Sequence, residues 1–408
     1  TVLHHDIPLT RDMGLKVLDW QHGQLQLHLP LQANINHKST MFGGSLYCGA
    51  VLAGWGWLHL RLKEEGICQD DEILFVGTKK GLESKIVPAA GVNFKTIDIQ
   101  GFDRKHLLNN VKTIQLFLKA TKRAKEILAD FQPDVVLGTG GYVSGAIVYE
   151  ASKMKIPTMI HESNSVVGVA NKFLGHYVDK ICYTFDDAAK EFSEKKKLVK
   201  TGNPRSQQVL SLNAKPVDLA GDLGLNPQIP TVLVFGGSRG ALAINRVMLK
   251  SLMELKKKPY QVIWATGTYY YDAIEKKLAD VDYGDSIKVV PYIANMPGLL
   301  PEMTCVVSRS GATSLAEFTA LGVPVILIPS PNVTHNHQMK NAMDLEKDGA
   351  ALVIAEDDLN ENTFVSSIDH LLLDHSYAEK MRQASKALGV PDASDQVIKV
   401  MKEIAKKN

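Results

Sequence analysis

The chain has 408 residues, which is long enough for two or three domains of ordinary size. Its hydrophobic fraction of 45% and charged fraction of 22% are those of an ordinary globular protein. Because 46 basic residues nearly balance 44 acidic ones, the net charge of +2 gives no sign of nucleic-acid binding. Four scattered cysteines without a CxxC pair predict reduced thiols in a cytosolic protein and no metal site.

The first 66 residues differ in pattern from the rest of the chain. The run GQLQLHLPL at 23–31 alternates as an antiparallel strand does. Residues 39–60 carry no charged side chain and are long enough to span a bilayer. A Gly-Gly pair at the start of this stretch and His59 near its end favour a buried helix entered through a glycine turn. We therefore predict no transmembrane helix, with a membrane span as the alternative.

From about residue 72 the chain alternates short β-branched strands with helices, which predicts parallel α/β sheets. The first series of strand runs is DEILFVGT, PDVVLGTGG, PTMIHE, KICYTF and KLVKTGNP. The second series is PTVLVFGG, YQVIWATG, IKVVPYI, CVVSRSG, VPVILIPS and AALVIA. Between them, 210–230 holds three prolines and is typical of an interdomain connection. Two Rossmann-like halves in tandem imply a cleft between them.

The first half contains a glycine loop and a basic helix. Gly138, Gly140 and Gly141 lie between a strand and a helix, where backbone N–H groups can cradle an anion. The helical region 102–125 combines lysines and arginines with an apolar stripe. Such a helix either docks on an anionic membrane surface or packs on its own sheet with a solvated basic side.

The second half contains a loop of the form strand–GGSRGA–helix. Gly236, Gly237 and Gly240 allow a tight turn, and the helix that begins near Ala241 points free N–H groups at the loop. This geometry predicts a phosphate or diphosphate site. A plain strand–helix turn is the alternative, because glycine favours that as well.

A second loop of this kind, SRSGATSLAE, follows the strand CVVS. Its helix N-terminus at Ala312 and Thr313 can face an anionic ligand, and Glu317 can accept hydrogen bonds from the two ribose hydroxyls. A first-turn glutamate that favours the helix dipole is the alternative for Glu317.

Two further polar segments follow strands. Gln338, in HNHQMKNA, can read sugar hydroxyls or a base edge, whereas His335 and His337 have no third ligand and predict no metal site. Arg205, in TGNPR, either clamps a diphosphate or sugar or is a surface arginine.

These motifs together resemble the MurG family, the N-acetylglucosaminyltransferases of peptidoglycan synthesis. GTGGYVSG, HESNSVVGVANK, GNPR, FGGSRGA, SRSGATSLAE and NHQMKNA stand in the family's order, from about residue 62 to the C-terminus. The resemblance implies a GT-B fold of two Rossmann-like domains, at the cytoplasmic face of the membrane. It implies inverting transfer of GlcNAc from UDP-GlcNAc to lipid I, the undecaprenyl-pyrophosphoryl-MurNAc-pentapeptide, without a cofactor or metal.

The resemblance also implies roles for particular residues. Ile293 would meet uracil, Glu317 the ribose, and Ser238 and Arg205 the diphosphate side. Gln338 would contact the GlcNAc, and the loop of Gly140, Gly141, Tyr142 and Ser144 would face the acceptor diphosphate. The full donor set is Asn164, Arg205, Ser238, Ile293, Ala312, Thr313, Glu317 and Gln338. The apolar and basic helix would dock on the anionic membrane surface.

The start of the chain departs from this family. The family opens with a GGTGGH-type loop whose histidine is a candidate base, and no such text appears here. Residues 1–66 instead resemble part of a hotdog-fold thioesterase-like domain, through IPLTRDMGLKVL, NINHKSTMFGGSLY and the Trp-rich helix. A fusion near 60–70 is therefore predicted, in which the hotdog-like segment replaces the first βα unit.

Four domains and three functions follow from these patterns. We expect a hotdog fragment at 1–66, an acceptor and membrane-docking domain at 67–209, a UDP-GlcNAc-binding domain at 210–388, and a returning helix at 389–408. The leading function is the lipid II transferase, with turnover impaired by the missing loop and the catalytic base unassigned. The alternatives are a non-catalytic UDP-sugar-binding protein and an acyl-thioester hydrolase.

Overall fold

The computed structural model describes the strands at 16–21 and 24–28, and then 72–79, 83–89, 91–99, 110–211, 214–237, 240–333 and 336–405. Side-chain surroundings are described throughout these ranges except at 16–28, 86 and 110–115. Ser238 and the uncharged stretch 39–60 therefore lie outside the described residues. The chain divides into two compact units, Thr1–Thr201 with Ser394–Asn408, and Gly202–Ala393.

The described residues of the first unit form three sheets. Its strands are β1 Lys16–Gln21, β2 Gln24–His28, β3 Leu74–Gly77, β4 Asn93–Thr96, β5 Val136–Gly138, β6 Thr158–Glu162, β7 Lys180–Tyr183 and β8 Leu198–Lys200. β1 and β2 pair in antiparallel fashion, as the alternation at 23–31 predicts. Within the described residues, β3–β4 and β5–β6–β7–β8 form two separate parallel sheets.

Helices cover the parallel strands of the first unit. They are α1 Glu83–Ala89, α2 Asn110–Phe131, α3 Gly141–Lys153, α4 Val169–Gly175, α5 Asp186–Glu191 and, from the end of the chain, α15 Ala393–Ala405. One apolar cluster joins α2 and α3 to β6, and Leu74 and Val76 of β3 pack against it. α15 places Val397, Val400 and Ile404 against Met159 and Cys182 on the β6–β7 sheet.

The second unit is a single parallel sheet of six strands. They are β9 Thr231–Phe235, β10 Gln261–Ala265, β11 Ile287–Val290, β12 Cys305–Ser308, β13 Val325–Leu327 and β14 Leu352–Val353. The strand order is β11-β10-β9-β12-β13-β14. This is the doubly wound order. The first three strands are added towards one edge of the sheet and the last three towards the other, so the order reverses between β9 and β12.

Helices flank this sheet. They are α6 Pro204–Ser211, α7 Leu219–Leu223, α8 Leu242–Leu255, α9 Tyr271–Leu278, α10 Met296–Leu299, α11 Ala312–Leu321, α12 His337–Lys347, α13 Glu361–Leu373 and α14 His375–Leu388. Every residue of β9, β10 and β12 is buried, which explains why these strands read as continuous apolar runs rather than alternating ones.

Both units contain parallel sheets flanked by helices, which confirms the predicted α/β fold class. Each of the eleven strand runs predicted from residue 71 onward contains a strand. No helix in the described part of the chain is long and apolar enough to cross a membrane.

Candidate functional site

The loops that carry the sequence motifs lie at one edge of the second unit. β9, β12 and β13 are neighbours in the sheet, and the GGSRGA, SRSGAT and HNHQ motifs all follow their carboxyl ends. In a doubly wound sheet, ligands bind outside these ends at the point where the strand order reverses. That point is the gap between the β9 and β12 loops, so the topology brings the predicted donor motifs together.

The β9–α8 loop requires glycine for steric reasons. Gly240 has φ +75°, and a Cβ at this position would lie 2.2 Å from the Thr266 carbonyl oxygen. The loop after β10 therefore approaches the glycine loop in van der Waals contact. Asn245 of α8 fixes that neighbour: its Nδ2 donates to Thr266 O at 2.8 Å, and its Oδ1 accepts from Trp264 Nε1 at 3.0 Å. Asn245 is 2% exposed, and nothing in its sequence surroundings singled it out.

The β12–α11 and β13–α12 loops are joined by hydrogen bonds. Ser310 Oγ donates to the Gln338 carbonyl at 2.8 Å, and Asn341 Nδ2 donates to Ser310 O at 3.2 Å. The Gln338 side chain accepts at Oε1 from the Ser330 N–H at 2.9 Å. This contact orients the carboxamide, so its NH₂ group is the end left for a ligand. Gln338 lies in the first turn of α12, and Ala312 and Thr313 begin α11.

Glu317 and Arg205, which are far apart in sequence, form an ion pair within the second unit. Arg205 Nε donates to Glu317 Oε1 at 2.6 Å, and Nη2 lies 2.5 Å from the same oxygen. The two side chains are 19% and 12% exposed. Arg205 Nη1 donates to Gln208 Oε1 at 2.8 Å. All three guanidinium nitrogens of Arg205 thus face side-chain oxygens of the second unit, and the side chain is mostly buried.

A tyrosine that the sequence reasoning missed lies within electrostatic range of this pair. Desolvation and the negative charge of Glu317 raise the pKa of the Tyr292 phenol, while the positive charge of Arg205 opposes the rise. Tyr292 follows β11 and immediately precedes Ile293, which is 8% exposed. Ile293 and Glu317 are therefore linked through Tyr292, the neighbour of Ile293 whose pKa responds to the Glu317 charge.

In the first unit, the glycine loop after β5 has the predicted form. Gly140 has φ +95° and stands before α3, whose first residue is Gly141. Ser144 donates to the Gly140 carbonyl at 2.7 Å and so turns its hydroxyl into the helix, whereas Tyr142 is 55% exposed. A helix of this length presents free N–H groups and a positive dipole end at the loop.

A buried carboxylate organises the segment next to that loop. Glu162, at the end of β6 and 4% exposed, accepts from the backbone N–H groups of Asn164 at 3.1 Å and Gly168 at 3.0 Å. It also accepts from Asn171 Nδ2 at 2.9 Å, and the same amide donates to His161 O at 3.1 Å. Through these hydrogen bonds, the Glu162 carboxylate ties Asn164, Gly168 and Asn171 together. Asn171 was not predicted as a site residue.

The basic helix α2 packs on its own unit. Ala120, Ala124 and Ile127 are buried in the core, while Lys119, Lys122, Arg123 and Lys125 are exposed. Leu118 is 64% exposed on the same helix. The described part therefore supports packing with a solvated basic side, and the region 102–109 lies outside the described residues.

Comparison with known proteins agrees with this architecture. The glycosyltransferase family 28 N-terminal domain matches residues 58–183, and the family 28 C-terminal domain matches 231–397. The crystal structure of MurG from Acinetobacter baumannii matches with a TM-score of 0.70 over 86% of this chain and 96% of that one, at 24% identity. Fold and motifs thus define a GT-B glycosyltransferase.

Curated relatives give the family. A protein of Lactobacillus delbrueckii subsp. bulgaricus is 98% identical over 85% of this chain and 94% of its own length. One of Lactobacillus acidophilus is 81% identical over the same shares of the two chains. Both are named UDP-N-acetylglucosamine–N-acetylmuramyl-(pentapeptide) pyrophosphoryl-undecaprenol N-acetylglucosamine transferase. The chain belongs to this family, the MurG glycosyltransferases.

The start of the chain matches a different family. A thioesterase model, the YiiD C-terminal domain, covers residues 1–80 and overlaps the glycosyltransferase match at 58–80. This agrees with the resemblance of the first 66 residues to a thioesterase-like domain.

Proposed function

We propose that this chain is an inverting glycosyltransferase that moves GlcNAc from UDP-GlcNAc to lipid I and so forms lipid II. The observation that carries the proposal is the convergence of three ligand-facing loops at the switch point of the second unit, with the Glu317 carboxylate held beside them. The family and its named substrates support the same reaction.

The reaction is a single displacement. A hydroxyl of the muramyl sugar attacks the anomeric carbon of GlcNAc and gives up its proton to a general base, to which we assign no residue. The bond from that carbon to the diphosphate oxygen breaks, and UDP leaves with the additional negative charge. The N-termini of α8 and α11 face this end of the sheet, and their free N–H groups stabilise an anion there. We assign the diphosphate to Gly236, Gly237, Ser238 and Gly240, and to Ala312 and Thr313.

The remaining donor contacts follow from the chemistry of each position. Glu317 accepts from the ribose hydroxyls, Ile293 covers the uracil, and the Gln338 NH₂ donates to a sugar oxygen. In the first unit, we assign the acceptor diphosphate to the loop of Gly140, Gly141, Tyr142 and Ser144, and a donor contact to Asn164.

Two measurements on the full chain test the proposal. Isothermal titration with UDP-GlcNAc measures donor binding, and transfer of radiolabelled GlcNAc to lipid I measures the reaction. Glu317→Gln should weaken UDP-GlcNAc binding by about tenfold or more, because a charged acceptor is replaced by a neutral amide. The matched control Glu379→Gln alters an exposed carboxylate on α14 and should change nothing. Wild-type protein that binds no UDP-GlcNAc would overturn the proposal.

A non-catalytic UDP-sugar-binding protein is the second candidate, and one observation favours it. The sequence lacks the GGTGGH-type loop with which the family opens. Tight UDP-GlcNAc binding without transfer to lipid I would select this candidate. Transfer would exclude it.

We also propose that the first unit docks on an anionic membrane surface. Support comes from the exposed lysines of α2 and from a cluster of Tyr149, Phe173 and Tyr177, with ring centroids 4.9–5.4 Å apart. Phe173 and Tyr177 are 39% and 43% exposed. Aromatic rings beside basic charge suit the interface of an anionic bilayer.

Charge reversal tests the docking. Lys122→Glu with Lys125→Glu should reduce co-sedimentation with phosphatidylglycerol vesicles, since each lysine near an anionic surface contributes about 1 kcal/mol. The control pair is Lys276→Glu with Lys277→Glu, on exposed positions of α9 in the second unit. Equal losses in both pairs would mean that only the net charge matters and would contradict a docking face on α2.

A further inference from the structure

We propose that Arg205 and Gln208 are positioning residues of the nucleoside end of the donor site. They act through Glu317, by fixing which carboxylate oxygen is offered to the ribose hydroxyls, and they do not bind the diphosphate. This inference rests on the proposed function, because it needs a ribose at Glu317.

The guanidinium of Arg205 is already committed to protein acceptors. Its Nε and Nη2 both approach Glu317 Oε1, at 2.6 Å and 2.5 Å. Its Nη1 donates to Gln208 Oε1 at 2.8 Å, so each of the three nitrogens faces a side-chain oxygen. A phosphate contact would require at least one of these short charge-assisted interactions to be given up or shared.

The arrangement leaves one oxygen of Glu317 for a ligand. Both nitrogens crowd onto Oε1, whereas Oε2 accepts no hydrogen bond from the residues that the structure describes. A carboxylate oxygen has two lone pairs and can accept from both hydroxyls of a ribose. The pairing of Arg205 with Oε1 thus prevents rotation of the carboxylate and presents Oε2 in one orientation.

The scaffold behind Arg205 is rigid. Asn203 Oδ1 accepts the Arg205 N–H at 3.0 Å at the start of α6, and Ser206 Oγ donates to Ala316 O of α11 at 3.2 Å. Gln208, one turn further along α6, is 7% exposed. Helix α6 is therefore bonded to α11 through Ser206, directly after Arg205, while Asn203 fixes the start of the helix.

The pair lies within electrostatic range of the segment to which we assign the uracil. The Glu317 carboxylate is near enough to raise the pKa of Tyr292, the neighbour of Ile293. Of the residues that we assign to the diphosphate, Gly240 lies against Thr266 and Tyr270 after β10, whereas Ala312 and Thr313 precede Glu317 on α11.

Truncated nucleotides distinguish a role of Arg205 at the ribose from a role at the diphosphate. Binding of UDP, uridine and 2′,3′-dideoxyuridine diphosphate to the full chain is measured by titration, directly or by competition. Arg205→Lys keeps the charge but loses the planar fork that grips Oε1 and Gln208. We expect Arg205→Lys to lower the affinity for UDP about tenfold and the affinity for uridine by a similar factor. The affinity for the dideoxy nucleotide should stay unchanged.

The opposite pattern would overturn the inference. If Arg205 binds the diphosphate, Arg205→Lys weakens the dideoxy nucleotide as much as UDP and leaves uridine unchanged. The matched control is Arg246→Lys on an exposed position of α8, which should leave all three ligands unaffected. Wild-type protein that binds neither UDP nor UDP-GlcNAc would instead refute the proposed function itself.

Gln208→Met provides a second variant that keeps the Arg205 charge. Methionine fills a similar volume without the acceptor oxygen, so the guanidinium loses one anchor. We expect the affinity for UDP to fall about two- to fivefold and the affinity for the dideoxy nucleotide to stay unchanged. In the double variant Gln208→Met with Glu317→Gln, the two losses of UDP affinity should not add, because both changes act on the same contact. Additive losses would show that Gln208 acts elsewhere.

Discussion

At the scale of single residues, Gly240 and Gly237 illustrate two different reasons for glycine in one loop, backbone conformation and steric space. Both have positive φ, +75° and +86°, which strains any other residue. A Cβ at Gly240 would also lie 2.2 Å from Thr266 O and 2.9 Å from the Tyr270 ring, whereas a Cβ at Gly237 meets nothing within 4 Å.

Alanine substitution at these two positions should therefore have unequal effects. Gly237→Ala should reduce the free energy of unfolding by about 1–2 kcal/mol, the strain of a left-handed residue. Gly240→Ala should cost about 1–3 kcal/mol more, because the backbone at Thr266 must move. Urea denaturation measures both. Equal values for the two variants would show that the loop relaxes and that the close approach has no energetic consequence.

Glu162 offers a second prediction at this scale. Glu162→Gln places an NH₂ group where the carboxylate accepts from Asn164 N, Gly168 N and Asn171 Nδ2. One donor then faces another donor in a buried site, which costs about 1–3 kcal/mol in the free energy of unfolding.

Glu191 serves as the matched control for Glu162. It accepts the Val167 N–H at 3.5 Å and lies 3.7 Å from Lys172, and its side chain is 31% exposed. Glu191→Gln should therefore change stability by less than about 1 kcal/mol. If both glutamines behave alike in urea denaturation, Glu162 does not organise this segment.

At the scale of elements, α15 belongs to the first unit through a regular apolar stripe. Val397, Val400 and Ile404 face Met159 and Cys182, and Lys399 on the other side is exposed. Ile404→Ala should destabilise the first unit by about 2 kcal/mol, the low end for this substitution, because it lies near the helix end. Lys399→Ala should have no effect. A loss of stability in the second unit would contradict this packing.

The sequence predicts elements well in this chain because their signals are local. Buried parallel strands appear as β-branched runs, and positive-φ positions such as Gly140 and Gly240 can be read directly from glycine. The pairing of Arg205 with Glu317 has no local signal, since 112 positions separate them and only the packing of α6 on α11 brings them together. The same holds for Asn245, whose partners are fixed by the approach of the β10 loop.

At the scale of the whole molecule, the described residues of each unit include one buried cysteine that can serve as an internal probe. Cys182 lies in β7 of the first unit and Cys305 in β12 of the second, and both are fully buried. Burial raises the pKa of Cys182 to about 12 and also raises the pKa of Cys305. Because the thiolate is the reactive form, neither thiol should react at pH 8 until its own unit opens.

Thiol labelling in dilute urea then reports the stability of each unit separately. The background is Cys48→Ser with Cys68→Ser, which leaves only the two buried thiols. Saturating UDP should slow labelling of Cys305 by about a hundredfold at a concentration of 100 Kd, because ligand that binds only the folded unit stabilises it by about 2.7 kcal/mol.

Labelling of Cys182 should respond far less to UDP, because the residues assigned to the nucleotide, apart from Asn164, belong to Gly202–Ala393. Ile404→Ala gives the reciprocal result, with faster labelling of Cys182 and an unchanged rate at Cys305. Peptide mapping by mass spectrometry distinguishes the two thiols. Equal protection of both by UDP would mean that the two units open as one cooperative body, and would refute the assignment of independent stabilities to them.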